Sequence, residues 1–99
     1  MIITATDDDH LDTLIKENER LVVVFGAEWC GPCKRAKPVY KDLPGCIVYA
    51  DFTELADSVA VMNIVKIPHF VTIHNGVETS RMQSSAEGDI IEFFAKAGL

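Results

Sequence analysis

Leu21-Val22-Val23-Val24-Phe25-Gly26-Ala27-Glu28-Trp29-Cys30-Gly31-Pro32-Cys33-Lys34 is the stretch that decides the fold. Its first five residues are continuously apolar, and so short a Val-rich run predicts a strand buried on both faces at the centre of a sheet. Beyond Cys33 the period changes. Ala36, Val39, Tyr40 and Leu43 make one apolar stripe at helical spacing while Lys34, Arg35, Lys37 and Lys41 face water, so a helix is expected from Cys33 to Leu43. Pro38 inside it is expected to bend it. Two cysteines three residues apart therefore stand where a central strand hands over to a helix.

Upstream, Ile2 to Thr6 is a short β-branched stretch. Asp7 to Asp9 offer caps and negative charge for a helix that carries Leu11, Leu14 and Ile15 on one face and ends near Asn18. Downstream, Pro44-Gly45 stops the second helix, Cys46 to Phe52 reads as a strand and Leu55 to Met62 as a short helix. Ile67-Pro68 marks a sharp entry to a further strand. His69 to His74 and Val77 to Met82 are joined at Asn75-Gly76, a dipeptide that tolerates positive φ, and read as an antiparallel hairpin. Ser84-Ser85-Ala86-Glu87 reads as the capping box of a last helix that buries Ile90, Ile91, Phe94 and Ala97. The order βαβαβαββα predicts an α/β fold: a central mixed five-stranded sheet flanked on both faces by four helices.

Ninety-nine residues leave room for one domain, residues 1–99, and none for a second. A hydrophobic content of 48% predicts an apolar core that holds a stable monomer without a metal or a disulfide framework. Fifteen acidic against nine basic residues give a net charge of −6, which argues against nucleic acid or an anionic membrane as partner. Met1 to Asp9 has neither a basic region nor an apolar stretch, so no signal peptide is expected there. The longest apolar run, Leu21 to Ala27, is far short of a membrane span. A soluble protein of a reducing, cytoplasmic compartment is the expectation, and the odd count of cysteines (Cys30, Cys33 and Cys46) does not suggest a secreted disulfide scaffold.

Cysteines three apart at the start of a helix lie on one side of it and can close a disulfide. Cys30, nearest the helix N-terminus, faces unpaired backbone N–H groups and the positive end of the helix dipole, which favour its thiolate. Cys33, one turn further in, is expected to be more buried and to keep its proton longer. The asymmetry assigns Cys30 the attack on a substrate disulfide and Cys33 the resolution of the mixed disulfide. The competing use of a Cys-x-x-Cys is half a zinc site. Cys46, His10, His69 and His74 do not stand at the paired spacing that would complete one. No metal ligand set is expected.

The uninterrupted Trp29-Cys30-Gly31-Pro32-Cys33-Lys34, preceded by Phe25 and by Ala27-Glu28, resembles the thioredoxin family. Pro38, Ile67-Pro68, the Asn-Gly turn and the final amphipathic helix extend the resemblance over essentially the whole chain. The Gly-Pro pair between the cysteines differs from the Cys-Pro-Tyr-Cys type of the glutaredoxins. The resemblance implies a thioredoxin fold and a general reductase of protein disulfides, working through a reversible Cys30–Cys33 disulfide. No bound cofactor is then needed, and electrons come from a separate NADPH-dependent flavoprotein reductase. It also implies a cis Pro68 lying against the cysteines, with Trp29, Gly31, Pro32, Ile67 and Pro68 forming a small apolar docking surface for an extended substrate segment. An ordinary packing tryptophan at Trp29 and a trans loop proline at Pro68 are the plainer alternatives. A non-catalytic thioredoxin-fold subunit of a larger assembly is the rival reading from another class.

Several residues depart from the family's pattern. Val24 stands where a buried Asp usually serves the resolving thiol, and Tyr49 where a Lys usually pairs with that Asp. Losing both together is self-consistent, because a buried ammonium without its carboxylate is strongly unfavourable. His69 stands where Thr is usual, sharing a strand face with Val71 and Ile73. It is expected to point inward near the motif, either as a satisfied core histidine or as a group that tunes the cysteines. Lys66 and Ser84 replace glycines that let substrate backbone approach. Gly26 replaces an aromatic, which is expected to loosen the packing beneath the motif. Cys46 reads as a small core residue, with regulatory oxidation or partner cross-linking as its alternatives. Lys34, Arg35, Lys37 and Lys41 read as a solvated face, with the steering of acidic partners as the alternative.

Overall fold

The structure, a computed structural model, describes residues 2–99. Chain order is β1 (Ile2–Thr4), α1 (Asp8–Glu17), β2 (Arg20–Gly26), α2 (Gly31–Tyr40), β3 (Ile47–Asp51), α3 (Ala56–Val61), β4 (His69–His74), β5 (Val77–Gln83) and α4 (Glu87–Ala97). The five strands form one mixed sheet in the order β1-β3-β2-β4-β5. β1 and β2 both run parallel to β3, while β4 runs antiparallel to β2 and to β5. The Val-rich run Leu21 to Phe25 is therefore central, as its unbroken apolarity predicts.

Strand alternation divides the core between the two faces of the sheet. Leu21, Val23, Phe25, Val48, Ala50, Val71 and Ile73 pack with Leu11 and Leu14 of α1 and with Leu55 and Ile64 around α3. Val22, Val24, Ile47 and Phe70 pack on the other face with Ala36 and Tyr40 of α2 and with Ile90 and Phe94 of α4. On that second face the aromatic rings interlock: Tyr40 meets Phe70 edge-on at 5.6 Å between centroids and stacks near-parallel to Phe94 at 6.4 Å.

Three details differ from the sequence reading. Helix α2 begins at Gly31 and ends at Tyr40, because Cys30 is its N-cap and the chain turns after Lys41 with the Leu43 N–H donating to the Tyr40 carbonyl. Leu43 still packs against the α2 face from outside the helix. The capping box at Ser84 does not form. Ala86 is the N-cap of α4, and Ser84 Oγ instead accepts from the Ala86 N–H at 3.0 Å and donates to Asp89 Oδ2 at 2.7 Å. Ile91 is 47% exposed rather than buried, since it sits roughly 100° round the helix from Ile90 while Phe93, Phe94 and Ala97 turn inward. The hairpin turn is as expected, with Asn75 at φ 51° and Gly76 at φ 80°.

Candidate functional site

The parallel arrangement of β3 and β2 directs the carboxyl end of β2 into the loop Ala27–Trp29 and then into α2. Ala27 is buried and its carbonyl accepts from the Cys30 N–H at 3.2 Å, which turns the chain so that Cys30 caps the helix. Cys30 and Cys33 are joined as a disulfide with their Cα atoms 5.2 Å apart. The Cys33 N–H donates to Cys30 Sγ at 3.2 Å, so an unpaired donor of the first helical turn is aimed at that sulfur. A negative charge on Cys30 Sγ would be stabilised by this N–H and by the helix dipole, while Cys33 Sγ lies inside the turn. The expected difference in burial between the two is not found: Cys30 is 6% and Cys33 8% exposed. The asymmetry lies in which sulfur the backbone N–H faces, not in depth.

The peptide bond Ile67–Pro68 is cis. The Ile67 carbonyl oxygen lies 3.8 Å from Cys30 Sγ, and Ile67 packs against the small cluster of Ala27, Cys30 and Cys33. Trp29 is 66% exposed, which excludes the packing-tryptophan alternative. Ala27 and Ile67 thus lie against the sulfurs, with the exposed Trp29 beside Cys30 in the chain. A groove of about 680 Å³ lies elsewhere, between α1, α3 and β5, and neither cysteine lines it.

Behind the cysteines, the pairing of β2 with β3 sets Val24 opposite Tyr49. Val24 is buried on the α2 face, with no carboxylate in its place. Gly26, two residues on, points the same way. A Cβ at Gly26 would meet Tyr49 Cε1 at 3.1 Å, Tyr49 Oη at 3.5 Å and Cys33 Sγ at 3.5 Å. The space is therefore not loose, contrary to the expectation for Gly26, because the Tyr49 ring takes up the room that glycine leaves. Sequence reasoning noted Tyr49 only as a missing lysine. The available signal was the pair itself, a glycine and a tyrosine brought together beneath the motif by the parallel register.

His69 is 4% exposed, and neither ring nitrogen has a hydrogen-bond partner. Burial pushes its imidazole below the usual range and the Arg81 charge adds to this, against smaller upward effects from the Lys66 backbone and Glu78. It is set opposite Phe25 and so faces α1 and α3. It does share its face with Val71 and Ile73, but that face is turned away from Val24, Tyr49 and α2. A direct hold on the Cys33 proton is thus at odds with its position. Cys46 is half-buried and free, with burial pushing its thiol up. Among the described residues no group of three or more His, Cys, Asp or Glu could hold a metal, and no helix is long and apolar enough to cross a membrane.

The family model for thioredoxin matches residues 1–97. Thioredoxin 1 of Plasmodium falciparum is 31% identical over 103 residues, a match covering 96% of this chain and 99% of that protein. Thioredoxin-3 of Dictyostelium discoideum is 30% identical over 94 residues, covering 90% and 89%. Among solved structures, Plasmodium falciparum thioredoxin superposes with a TM-score of 0.91 at 27% identity, covering 95% of this chain and 97% of that one. Reduced Schistosoma mansoni thioredoxin superposes at 0.88 with 28% identity, covering 96% of each.

Proposed function

The chain belongs to the thioredoxin family and is a dithiol–disulfide oxidoreductase, and from that premise we propose that Cys30 is the attacking thiol and Cys33 the resolving one. The observation that carries the assignment is the Cys33 N–H directed at Cys30 Sγ at the N-terminus of α2. The Cys30 thiolate attacks one sulfur of a protein disulfide and displaces the other as a thiolate. The Cys33 thiolate then attacks Cys30 Sγ, closing the Cys30–Cys33 disulfide and releasing the substrate as a dithiol. Two electrons pass to the substrate, and no bound cofactor takes part.

Substrate docks on Trp29, Gly31, Pro32, Ile67 and Pro68. The exposure of Trp29 and the approach of the Ile67 carbonyl to Cys30 Sγ support this, since an extended segment laid there brings its own disulfide beside the attacking sulfur. The family acts on disulfide proteins and is recharged by a reductase. Here that partner is a NADPH-dependent flavoprotein, and the protein works as a monomer, a single domain of residues 1–99, in the cytoplasm as a general disulfide reductase.

The test is to trap the intermediate. Cys33→Ser is expected to accumulate a mixed disulfide with protein substrates through Cys30, because attack proceeds and resolution cannot. Trapping through Cys46 to the same extent would refute the role assignment. Full biological function retained by the double variant Cys30→Ser, Cys33→Ser would instead favour a binding subunit.

A further inference from the structure

We propose that the Tyr49 hydroxyl is the hydrogen-bond donor that stabilises the Cys33 thiolate when the mixed disulfide is resolved. The inference rests on the reading of Cys33 as the resolving thiol, and it starts from a vacancy in the sequence. The position opposite Tyr49 in the sheet is Val24, an aliphatic residue in the α2-facing core, so no side-chain acid stands there to serve the thiol. Gly26 carries no side chain on the face of β2 that looks towards Cys33. Through that gap the Tyr49 ring reaches the same small space as the sulfur: the point where a Gly26 Cβ would stand is 3.5 Å from Cys33 Sγ and 3.5 Å from Tyr49 Oη. Glycine, tyrosine and cysteine come from three successive elements, β2, β3 and α2, and only the parallel pairing of β2 with β3 beneath α2 brings them together.

The chemistry of a phenol decides what it does there. Burial pushes the Tyr49 hydroxyl pKa above its usual value, and the charges of Asp51, Glu28 and Glu54 push in the same direction. Among the titratable groups on α2, Tyr40 feels the Tyr49 charge and Cys33 lies across the same space. At neutral pH the hydroxyl is thus a donor that keeps its proton and is not a base. In the resolving step the Cys33 thiol gives its proton to water, and Tyr49 Oη–H donates to the resulting thiolate. The thiolate attacks Cys30 Sγ, the Cys30–Cys33 bond forms, and the bond from Cys30 to the substrate sulfur breaks. That electron pair leaves on the substrate thiolate, which takes a proton from water.

The ionisation of Cys33 is read from thiolate ultraviolet absorbance in the Cys30→Ser, Cys46→Ser background, with and without Tyr49→Phe. A hydrogen bond to a charged acceptor predicts that Tyr49→Phe weakens the acidity of Cys33 by about tenfold, about one pH unit upward. Gly26→Ala, whose Cβ presses on the ring at 3.1 Å, should move the midpoint in the same direction with the phenol still present. In single-turnover resolution of a preformed mixed disulfide, Tyr49→Phe should be slower by about tenfold at neutral pH and converge on wild type once Cys33 is fully ionised. An unchanged midpoint in both variants, or a rate deficit of equal size at every pH, overturns the inference. Circular dichroism of each variant separates a folding defect from either result. The titration reads the proposed hydrogen bond whether or not Cys33 resolves, whereas failure of Cys33→Ser to trap substrate would remove the underlying role assignment and leave the titration standing.

Discussion

At the scale of single residues, His69 ties stability to pH. Its imidazole is buried with both nitrogens unpartnered, and burial holds it below the ordinary value of 6.5. The unfolded chain therefore binds a proton that the folded chain resists. Stability on this account is fully present above pH 6.5 and is lost as pH falls from there towards the depressed folded value. Urea midpoints of wild type and His69→Thr, measured at about pH 8 and about pH 5.5, should diverge on acidification, with wild type losing more. Equal losses would show that the ring finds a partner when charged. The carboxylates of Asp8 and Asp51, each held below the usual range, contribute stability that is lost only at lower pH, and they do so equally in both proteins, whereas Glu78, lowered chiefly by its hydrogen bond from Arg81, also responds to the His69 charge.

At the scale of elements, the termini of the helices are where sequence and structure agree least evenly. Asp7 caps α1 as its position predicts, accepting from the His10 N–H at 2.8 Å with Asp8 and Asp9 following in the first turn. Asp7→Ala should cost about 1 kcal/mol, read as a lower urea midpoint with no change in disulfide reductase activity, because α1 packs on the face opposite α2. At α4 the Ser84-x-x-Glu87 spacing is present and yet the helix starts two residues later than a capping box requires. Ser84 directly follows β5, which ends at Gln83, and its hydroxyl is engaged by Ala86 and Asp89. Tertiary connection overrides the local signal there.

At the scale of the molecule, two apolar clusters on either side of a central sheet supply the core, and the Cys30–Cys33 bond closes a loop of only three residues' separation. So short a loop adds at most about 2 kcal/mol through chain entropy. Reduction should therefore leave the far-ultraviolet circular dichroism unchanged and lower the urea midpoint only slightly, with loss of the spectrum on adding reductant counting against it. The edges of the sheet are short or charged. β1 is three residues long, and β5 presents Glu78, Ser80 and Arg81, with Arg81 paired to Glu78 at 2.7 Å, in place of a flat apolar edge.

By itself the sequence determined the central strand, the succession of elements, the hairpin at Asn75-Gly76 and the place of the two cysteines at a helix start. Each is a local or periodic property: unbroken apolarity for a strand buried on both faces, a 3.6-residue stripe for a helix, positive φ at a turn. The tertiary structure alone decided which face each strand residue looks upon, because facing depends on the register between strands that are distant in the chain. That register turned His69 away from Cys33 and brought Tyr49 under it through the gap at Gly26. It also replaced the expected difference in cysteine burial by a difference in orientation, since a backbone N–H points at Cys30 Sγ only once the turn at Ala27 has made that residue the cap of α2.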